Sequence, residues 1–290
     1  MSDAESINDL IQLLDLEEIE QNHYRAISPS EGWQRVYGGQ VLGQALVAAS
    51  RTVPEDRHAH SLHGYFLRGG DTEAPILYTV DRIRDGRSFT TRRVVAIQHG
   101  RAIFNMSISF QVEETGLSHQ MPMPDAPHPD ELVDEQELRK QWASELPEEY
   151  AEAFNRLRPL EVRPIDPQNI LKPEPRPPHA MCWMKAREPL PDDRRLHQCV
   201  LAYLSDWSLL DTATQPHAVS FLQEEMQMAS LDHAMWFHRP FRADEWLLYV
   251  QDSPSASGSR GLNRGMIYTQ DGQLVASAAQ EGLIRLHHKR

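Results

Sequence analysis

The sequence predicts an α+β fold made of two tandem repeats, in each of which one long helix packs on an antiparallel sheet. The first observation is an internal similarity: a block that begins at Gly86, GRSFTTRRVVAIQHGRAIFNMSISFQ, resembles one that begins at Gly258, GSRGLNRGMIYTQDGQLVASAAQEGL. At this fixed offset Arg92 falls on Arg264. The second observation is that each block contains a strand, a tight Q-H-G or Q-D-G turn and another strand, which is a hairpin signature. Because one helical segment precedes the strands in each half, a duplicated unit is predicted.

The two predicted helices differ at one position. In the first half, QVLGQALVAAS follows Gly38 and Gly39. In the second half, apolar side chains recur at helical spacing over residues 196–207, which predicts a helix with one buried face. Asp206 lies at the shoulder of that face, where an unpaired charge is costly, and the aligned residue in the first half is Ala48.

A second polar residue interrupts an apolar face in the same half. Alternation along the last strand places Gln280 among apolar residues, whereas the aligned residue of the first half is Ile108. A single buried Asp or Gln is usually a satisfied core group. Two such residues in one repeat, both absent from its twin, favour a functional site in the C-terminal half.

Composition and spacing divide the chain into three parts. We expect an N-terminal repeat over residues 1–118, a linker over 119–158 and a C-terminal repeat over 159–290. The proline-rich start of the linker cannot hold a regular element. Helical spacing from about residue 130 to 155 predicts that the remainder carries a helix over the surface.

Composition limits the class of protein. The 290-residue chain is 40% hydrophobic and 24% charged, and its net charge of −13 argues against a nucleic-acid partner. Since no apolar run approaches about 18 residues, no membrane span is expected. The acidic, amphipathic N-terminus is unlike a secretory or transit peptide. Only Cys182 and Cys199 are present, too few for a disulfide framework, so a reduced cytoplasmic protein is predicted.

Motifs for several other chemistries are missing from the sequence. It contains no G-x-S-x-G nucleophile elbow, Walker loop or H-E-x-x-H. His58, His60 and His63 are closely spaced, but alternation places the third on the opposite face of a strand, so no metal site is expected. Arg82 and Arg84 alternate along a strand and form either a solvated face or a cationic patch for phosphates.

Five segments together resemble a known family. In chain order they are VYGGQVLGQAL, HSLHGYFLRGGD, RDGRSF, LDHAMWFHRPF and YTQDGQLVASAAQEG. They resemble the type II acyl-CoA thioesterase family over nearly the whole chain, and least in the linker. The resemblance implies a double hotdog fold, in which an antiparallel sheet wraps around a long helix in each of two tandem repeats. It also implies hydrolysis of acyl-CoA thioesters to a fatty acid and free CoA.

The resemblance implies a water-activating set in the C-terminal repeat. Its carboxylate is Asp206 of the S-D pair, its hydroxyl is Ser230 just before the D-H dipeptide, and its carboxamide is Gln280 of the Q-E-G motif. Threonine is the commoner family residue at the position of Ser230. His60 of the H-S-x-H motif has also been considered functional in the family, and we expect it to be a structural or pocket residue.

The chemistry of a thioester explains why such a set is useful. The leaving thiol has a pKa near ~8.5, so its departure needs little acid catalysis, and delivery of a deprotonated water is the demanding step. We expect Asp206 to act as the base while Ser230 and Gln280 fix the water, without cofactor, metal or covalent intermediate. Gly38 and Gly39 begin a helix, and their backbone N–H groups either bind the oxyanion and substrate or merely permit the turn.

Two other functions stay open on the sequence: a hotdog enoyl-CoA hydratase and a non-catalytic acyl-CoA binding protein. A hydratase would pair an Asp with a His in one catalytic stretch, and no histidine follows Asp206 at a helical neighbour position. A binding protein needs no water-holding set. Acyl-CoA is the expected small-molecule partner in each case. By analogy with other hotdog proteins, whose sheets pair edge to edge, a homo-oligomer (dimer or tetramer) is expected.

Overall fold

A computed structural model of the chain describes residues 7–27, 35–146, 148–156 and 158–287. Residues 1–6, on which part of the targeting argument rests, lie outside these ranges. The N-terminal repeat contains helices α1 (Ile7–Leu14) and α2 (Gly38–Ser50) and strands β1 (Glu17–Glu20), β2 (His23–Ala26), β3 (Arg57–Phe66), β4 (Ile76–Asp85), β5 (Phe89–Gln98) and β6 (Arg101–Val112).

The segment between the repeats holds two helices rather than the single one predicted. They are α3 (Glu135–Ala143) and α4 (Glu148–Asn155), preceded by a 3₁₀ turn at Pro129–Glu131. Helix α3 begins after Asp134, whose side chain accepts a hydrogen bond from the backbone N–H of Gln136 at 3.0 Å. The single-helix prediction is wrong because the sequence carries a proline at 147, which lacks the N–H that a continuous helix requires.

The C-terminal repeat contains one long helix and most of the remaining strands. Its elements are β7 (Leu160–Ile165), β8 (His179–Ala186), α5 (Arg194–Ser205), 3₁₀ turns at Leu210–Ala213 and Gln215–His217, β9 (Met226–Ser230), β10 (Asp232–Phe237), β11 (Leu247–Ser257), β12 (Arg260–Thr269) and β13 (Leu274–Leu286). None of the helices within the described ranges has the length and apolar character that crossing a bilayer requires.

All strands belong to one antiparallel sheet with an internal symmetry. Its order is β1-β2-β4-β5-β6-β3-β10-β13-β12-β11-β8-β7, and β9 pairs separately with β13. Outward from the β3–β10 junction, β6-β5-β4-β2 on one side corresponds to β13-β12-β11-β8 on the other. The predicted α+β class and the duplicated helix-on-sheet unit are therefore confirmed.

Helices α2 and α5 pack against each other at the centre of the molecule. Two glycines allow their close approach: a Cβ at Gly39 would overlap the carbonyl oxygen of Tyr203, and one at Gly43 would lie 3.2 Å from the carbonyl oxygen of Cys199. The helices are buried nearly all round, and Leu46 and Leu204 are fully buried. Each such side chain contributes roughly 1.5–3 kcal/mol through burial. This packing fixes the C-terminal end of α5 against the N-terminal end of α2.

The two hairpins differ by one residue, which corrects the alignment of the repeats. Strands β5 and β6 pair Arg92 with Ile108, whereas β12 and β13 pair Asn263 with Gln280. Gln280 does correspond to Ile108, but Arg92 corresponds to Asn263 and not to Arg264. The exposure of the two arginine side chains agrees with this corrected alignment, since Arg92 is 1% exposed whereas Arg264 faces solvent. The fixed-offset prediction is wrong here because the second hairpin has one more residue between its paired positions: 16 residues separate Asn263 from Gln280, and 15 separate Arg92 from Ile108.

Candidate active site

Asp206 terminates helix α5. The helix ends at Ser205, and Asp206 is the C-cap residue with φ −79° and ψ −12°. The predicted helix over residues 196–207 therefore ends two residues earlier than expected, because the chain leaves the helix at this point. A carboxylate at a helix C-terminus faces the negative end of the helix dipole, so donors from elsewhere must stabilise it.

Two side chains from other segments supply those donors. Gln280, on β13 and fully buried, donates from Nε2 to Asp206 Oδ1 at 2.5 Å and to Ser230 Oγ at 2.9 Å. Ser230, the last residue of β9, donates from Oγ to the same Asp206 Oδ1 at 3.3 Å. The structure thus brings Asp206, Ser230 and Gln280 into direct contact, and both donors engage one carboxylate oxygen.

Two tyrosines, one from each repeat, hold the end of α5; Tyr249 is fully buried and Tyr37 is partly buried. Tyr249 donates its hydroxyl hydrogen bond to the carbonyl oxygen of Ser205, and Tyr37 donates to that of Tyr203, each at 2.9 Å. Burial raises the pKa of both tyrosines well above the usual range, and the nearby charge of Asp206 acts in the same direction. The two phenols are therefore neutral donors that satisfy carbonyls next to the carboxylate.

Gly38 and Gly39 form the first turn of α2, directly beside the carboxylate. A Cβ at Gly38 would lie 2.7 Å from Asp206 Oδ2, so this second carboxylate oxygen faces the start of α2. Tyr37, which precedes them, is the N-cap residue. N–H groups in the first turn have no partner within their own helix and point toward negative charge. The start of α2, from the N-terminal repeat, therefore lies directly beside Asp206 of the C-terminal repeat.

A cavity of about 1240 Å³ opens onto Asp206. Most of its wall is apolar and comes from the C-terminal repeat, with Val162, Ile165, Met181, Met226 and Met228 among its residues. This size and character suit a flexible, largely apolar ligand.

The linker contributes to this cavity, which the sequence did not indicate. Trp207, next to Asp206, donates from Nε1 to Glu135 Oε2 of α3 at 2.9 Å. The Arg158 guanidinium carbon lies 3.9 Å from the centroid of the Trp207 ring. All three residues line the cavity. The S-D-W sequence places a tryptophan beside the acid, but its linker partners are too distant in the chain for periodicity to reveal.

Asp211 is a further carboxylate in the same cavity. It belongs to the 3₁₀ turn that follows Asp206, lines the cavity and is exposed to it. Desolvation by the cavity wall raises the pKa of Asp211 to about 7, and the negative charges of Glu135 and Asp206 add to the effect. An unperturbed aspartate ionises near pH ~4.

His60 lies apart from this cluster. Its Nε2 is 2.7 Å from Ser109 Oγ and its ring makes an edge contact with Phe89, both within the N-terminal repeat. It does not belong to the described wall of the cavity. Burial lowers the pKa of His60 below its usual value. The structure does not bring this residue together with Asp206.

The remaining sequence candidates also lie elsewhere. Arg82 donates from Nε to Asn22 Oδ1 at 2.8 Å, and Arg93 forms an ion pair with Asp81 at 3.6 Å. These arginines are therefore paired with neighbouring side chains on an exposed face of β4 and β5. Within the described part of the chain, no three His, Cys, Asp or Glu side chains are grouped in a way that could hold a metal ion.

Comparisons with known proteins agree with this architecture. A protein with a hot dog fold from Alicyclobacillus acidocaldarius superposes with a TM-score of 0.77 at 18% identity, over 97% of this chain and 99% of its own, which shows the fold. An acyl-CoA thioesterase II from Mycobacterium marinum superposes with a TM-score of 0.78 at 47% identity, over 95% of this chain and 97% of its own. The predicted double hotdog fold is confirmed.

Sequence comparisons are equally extensive. The acyl-CoA thioesterase 2 of Haemophilus influenzae is 44% identical over 285 residues, which cover 98% of this chain and 99% of that protein. Residues 29–111 match the family model of the acyl-CoA thioesterase N-terminal domain, and residues 151–283 match the acyl-CoA thioesterase model. The chain therefore belongs to the acyl-CoA thioesterase family.

Proposed function

We propose that this chain hydrolyses acyl-CoA thioesters to a fatty acid and free CoA, using a water molecule positioned by Asp206, Ser230 and Gln280. One observation carries the proposal: three polar side chains from separate segments meet within 2.5–3.3 Å of one another next to a large apolar cavity. The amide nitrogen of Gln280 and the hydroxyl of Ser230 both donate to Oδ1 of Asp206, while Gln280 Oε1 is buried and has no hydrogen-bond partner among the described residues.

Asp206 is the general base. Gln280 and Ser230 both hold Oδ1, so Oδ2, which faces Gly38, accepts the proton of the attacking water. The water oxygen bonds to the acyl carbon, the tetrahedral intermediate then expels the CoA thiolate, and the proton passes from Asp206 to the thiolate sulfur. No bond between protein and acyl group forms.

The start of α2 stabilises the oxyanion. Gly38 and Gly39 occupy the first two helical positions, where backbone N–H groups lack intrahelical acceptors. These donors belong to the N-terminal repeat, whereas the water ligands belong to the C-terminal one. A thioester carbonyl placed between them meets donors on one side and the nucleophile on the other.

The structure weighs against the two other readings. A hydratase needs a histidine that reaches substrate, and His233, which is bound to the residue before Asp206, is fully buried. A binding protein has no use for a hydrogen-bonded carboxylate at the wall of an apolar cavity, because the charge lowers affinity for an acyl chain.

One assay separates the three readings. The purified chain is mixed with acyl-CoA and with crotonyl-CoA, and free thiol, hydrated product and retained ligand are measured. Hydrolysis predicts catalytic release of thiol and no hydration product. Hydration of crotonyl-CoA without thiol, or stoichiometric retention of intact acyl-CoA, contradicts the proposal. The same assay on purified Asp206→Asn protein is the control: loss of thiol release in this variant excludes a contaminating thioesterase as the source of the activity.

We also propose a cytoplasmic setting and a homo-oligomeric state, either dimer or tetramer. Cys182 and Cys199 are free and buried, and burial raises the pKa of Cys182 to about 12, which suits a protein built without disulfides. Tyr65 and Trp236, on the adjacent central strands β3 and β10, remain 59% and 36% exposed on the outer sheet face, which supports association with a second copy. Light scattering that gives the mass of a single chain contradicts the oligomer.

A further inference from the structure

His233 occupies a position in the sheet that connects to the proposed site. It is fully buried on β10, and the residue that follows it, Ala234, pairs with Ala279 of β13. The same antiparallel register sets His233 opposite Gln280, and both side chains point inward. Beside them, the N–H of Glu281 donates to Asp232 Oδ1 at 2.7 Å and ties the same two strands together.

The hydrogen bonds around His233 define its protonation state. Ser205 Oγ donates its only proton to the carbonyl oxygen of Ala202 at 2.9 Å, so it accepts a hydrogen bond from His233 Nε2, also at 2.9 Å. Nδ1 is buried, and it has no hydrogen-bond partner among the described residues. Nδ1 therefore carries a lone pair, since a proton there would be an unsatisfied buried donor. Burial accordingly lowers the pKa of His233, against the opposing charges of Asp206 and Asp232.

Ser205 links His233 to the residue that carries the carboxylate, Asp206. Its hydroxyl is held by His233 and its carbonyl by Tyr249, and the next residue in the chain is Asp206. The strand pair that carries Gln280 is thus bonded to the end of the helix that carries Asp206. Together with the hydrogen bonds that Gln280 and Ser230 donate to Asp206, this bond sets the separation between strand β13 and the end of α5.

The N-terminal repeat lacks the same arrangement. There β3 pairs Leu62 with Ile108, the residues that correspond to His233 and Gln280. An aliphatic pair fills the positions that the other repeat gives to an imidazole and a carboxamide. The imidazole therefore accompanies the polar site and is not a requirement of the fold.

We propose that His233 is a positioning residue: its neutral imidazole, acting through Ser205, holds Asp206 in register with Gln280 for attack on the thioester. This inference rests on the proposed function. It assigns His233 no contact with substrate and no proton transfer to it.

Three substitutions distinguish a directed hydrogen bond from simple packing. In His233→Gln the side-chain amide nitrogen reaches the position of Nε2, whereas in His233→Asn it does not, and His233→Leu removes the donor. We expect His233→Leu and His233→Asn to lower kcat by about 10- to 100-fold with KM within about twofold, because small misplacement of a base is costly. His233→Gln should keep kcat within about threefold of the parent, since the donor is retained.

A double-mutant cycle tests the route through Ser205. Ser205→Ala should lower kcat, and combining it with His233→Leu should add little, because both remove one interaction. Far-UV circular dichroism and Tm are measured on every variant. The inference is overturned by additive losses, by equal kcat in His233→Asn and His233→Gln, or by Tm changes at constant kcat per folded molecule.

A change in the shape of the pH–kcat profile of His233→Gln also overturns it, because a positioning residue donates no proton to the reaction. Failure of the proposed function looks different: the parent protein then releases no thiol at all, or Asp206→Asn releases it at the parent rate.

Discussion

Gln280 donates a hydrogen bond from Nε2 to Asp206 Oδ1 across 2.5 Å, although 74 positions separate the two residues in the chain. The contact joins the last strand of the sheet to the end of the central helix of the same repeat. It explains how a carboxylate is kept at a helix C-terminus, where the backbone alone disfavours it. It also engages Oδ1 of the carboxylate, while Oδ2 faces Gly38 at the start of α2.

Replacing Gln280 with alanine should lower kcat by roughly 10- to 100-fold, the equivalent of losing a hydrogen bond to a charged group worth about 1.5–3 kcal/mol. KM should stay nearly constant, because the carboxamide contacts Asp206 and not the acyl chain. Steady-state kinetics with acyl-CoA measures both constants. The matched control is Gln98→Ala, which removes a buried glutamine that binds the carbonyls of Asp71 and Ala74 in the other repeat. A rise in KM alone would make Gln280 a binding residue.

Ser230 tests how tightly the cluster must be held. Ser230→Ala removes a donor to Asp206 and an acceptor for Gln280, so kcat should fall by about 10-fold. Ser230→Thr keeps the hydroxyl and adds a methyl group that restricts χ1, so its kcat should equal or exceed that of the parent. Ser253→Ala, which removes a hydroxyl bound to the Leu262 carbonyl, is the control. Full activity in Ser230→Ala would remove this residue from the mechanism.

Gly38→Ala should displace the base. The new Cβ would lie 2.7 Å from Asp206 Oδ2 and 3.1 Å from the Phe66 ring, so the carboxylate must move. A shift of this kind costs up to about 100-fold in kcat. Gly43→Ala in the same helix meets Leu14 and Cys199 instead, and it should lower Tm without lowering kcat. Equal effects of both substitutions on kcat would contradict the geometry.

Asp211 should make stability depend on pH. Its pKa in the folded protein is about 7, above its value in the unfolded chain, so the folded state binds the proton more tightly. Ionisation therefore destabilises the fold progressively as pH rises from about 4 to about 7. Asp211→Asn should raise Tm at pH 8 and change it little at pH 4–5, as differential scanning fluorimetry would show. The exposed Asp271→Asn is the control. A Tm gain in Asp211→Asn that is the same at both pH values would refute this assignment.

Much of the fold could be predicted because its signals are local. Alternation placed Gln280 inward, the glycine pair marked the start of α2, and the repeated hairpins revealed the duplication. The predicted correspondence of Arg92 with Arg264 is wrong because the second hairpin has one more residue between its paired positions. A shift of one residue moves each side chain of the preceding strand to the opposite face of the sheet. The linker holds two helices rather than one: helical spacing continues across Pro147 in the sequence, but a proline interrupts the hydrogen bonding of a helix.

The surroundings of the site were harder to predict from sequence. His233, Tyr37 and Tyr249 hold the end of α5 through contacts that join distant segments, and local periodicity contains no record of such contacts. Arg158 and Glu135 reach Trp207 from a segment that composition marked only as a linker. Sequence motifs identified Asp206, Ser230 and Gln280, whereas only the structure gives the distances between these three side chains.

Single-turnover hydrolysis by Asp206→Asn tests the central claim most directly. The substitution keeps the shape of the side chain and removes the base, so with enzyme in excess over acyl-CoA the rate of thiol release should fall by about 10²–10⁴-fold while substrate still binds. Thiol release at the parent rate, by protein whose Tm and acyl-CoA affinity match the parent, would contradict the assignment of Asp206 as the group that activates water.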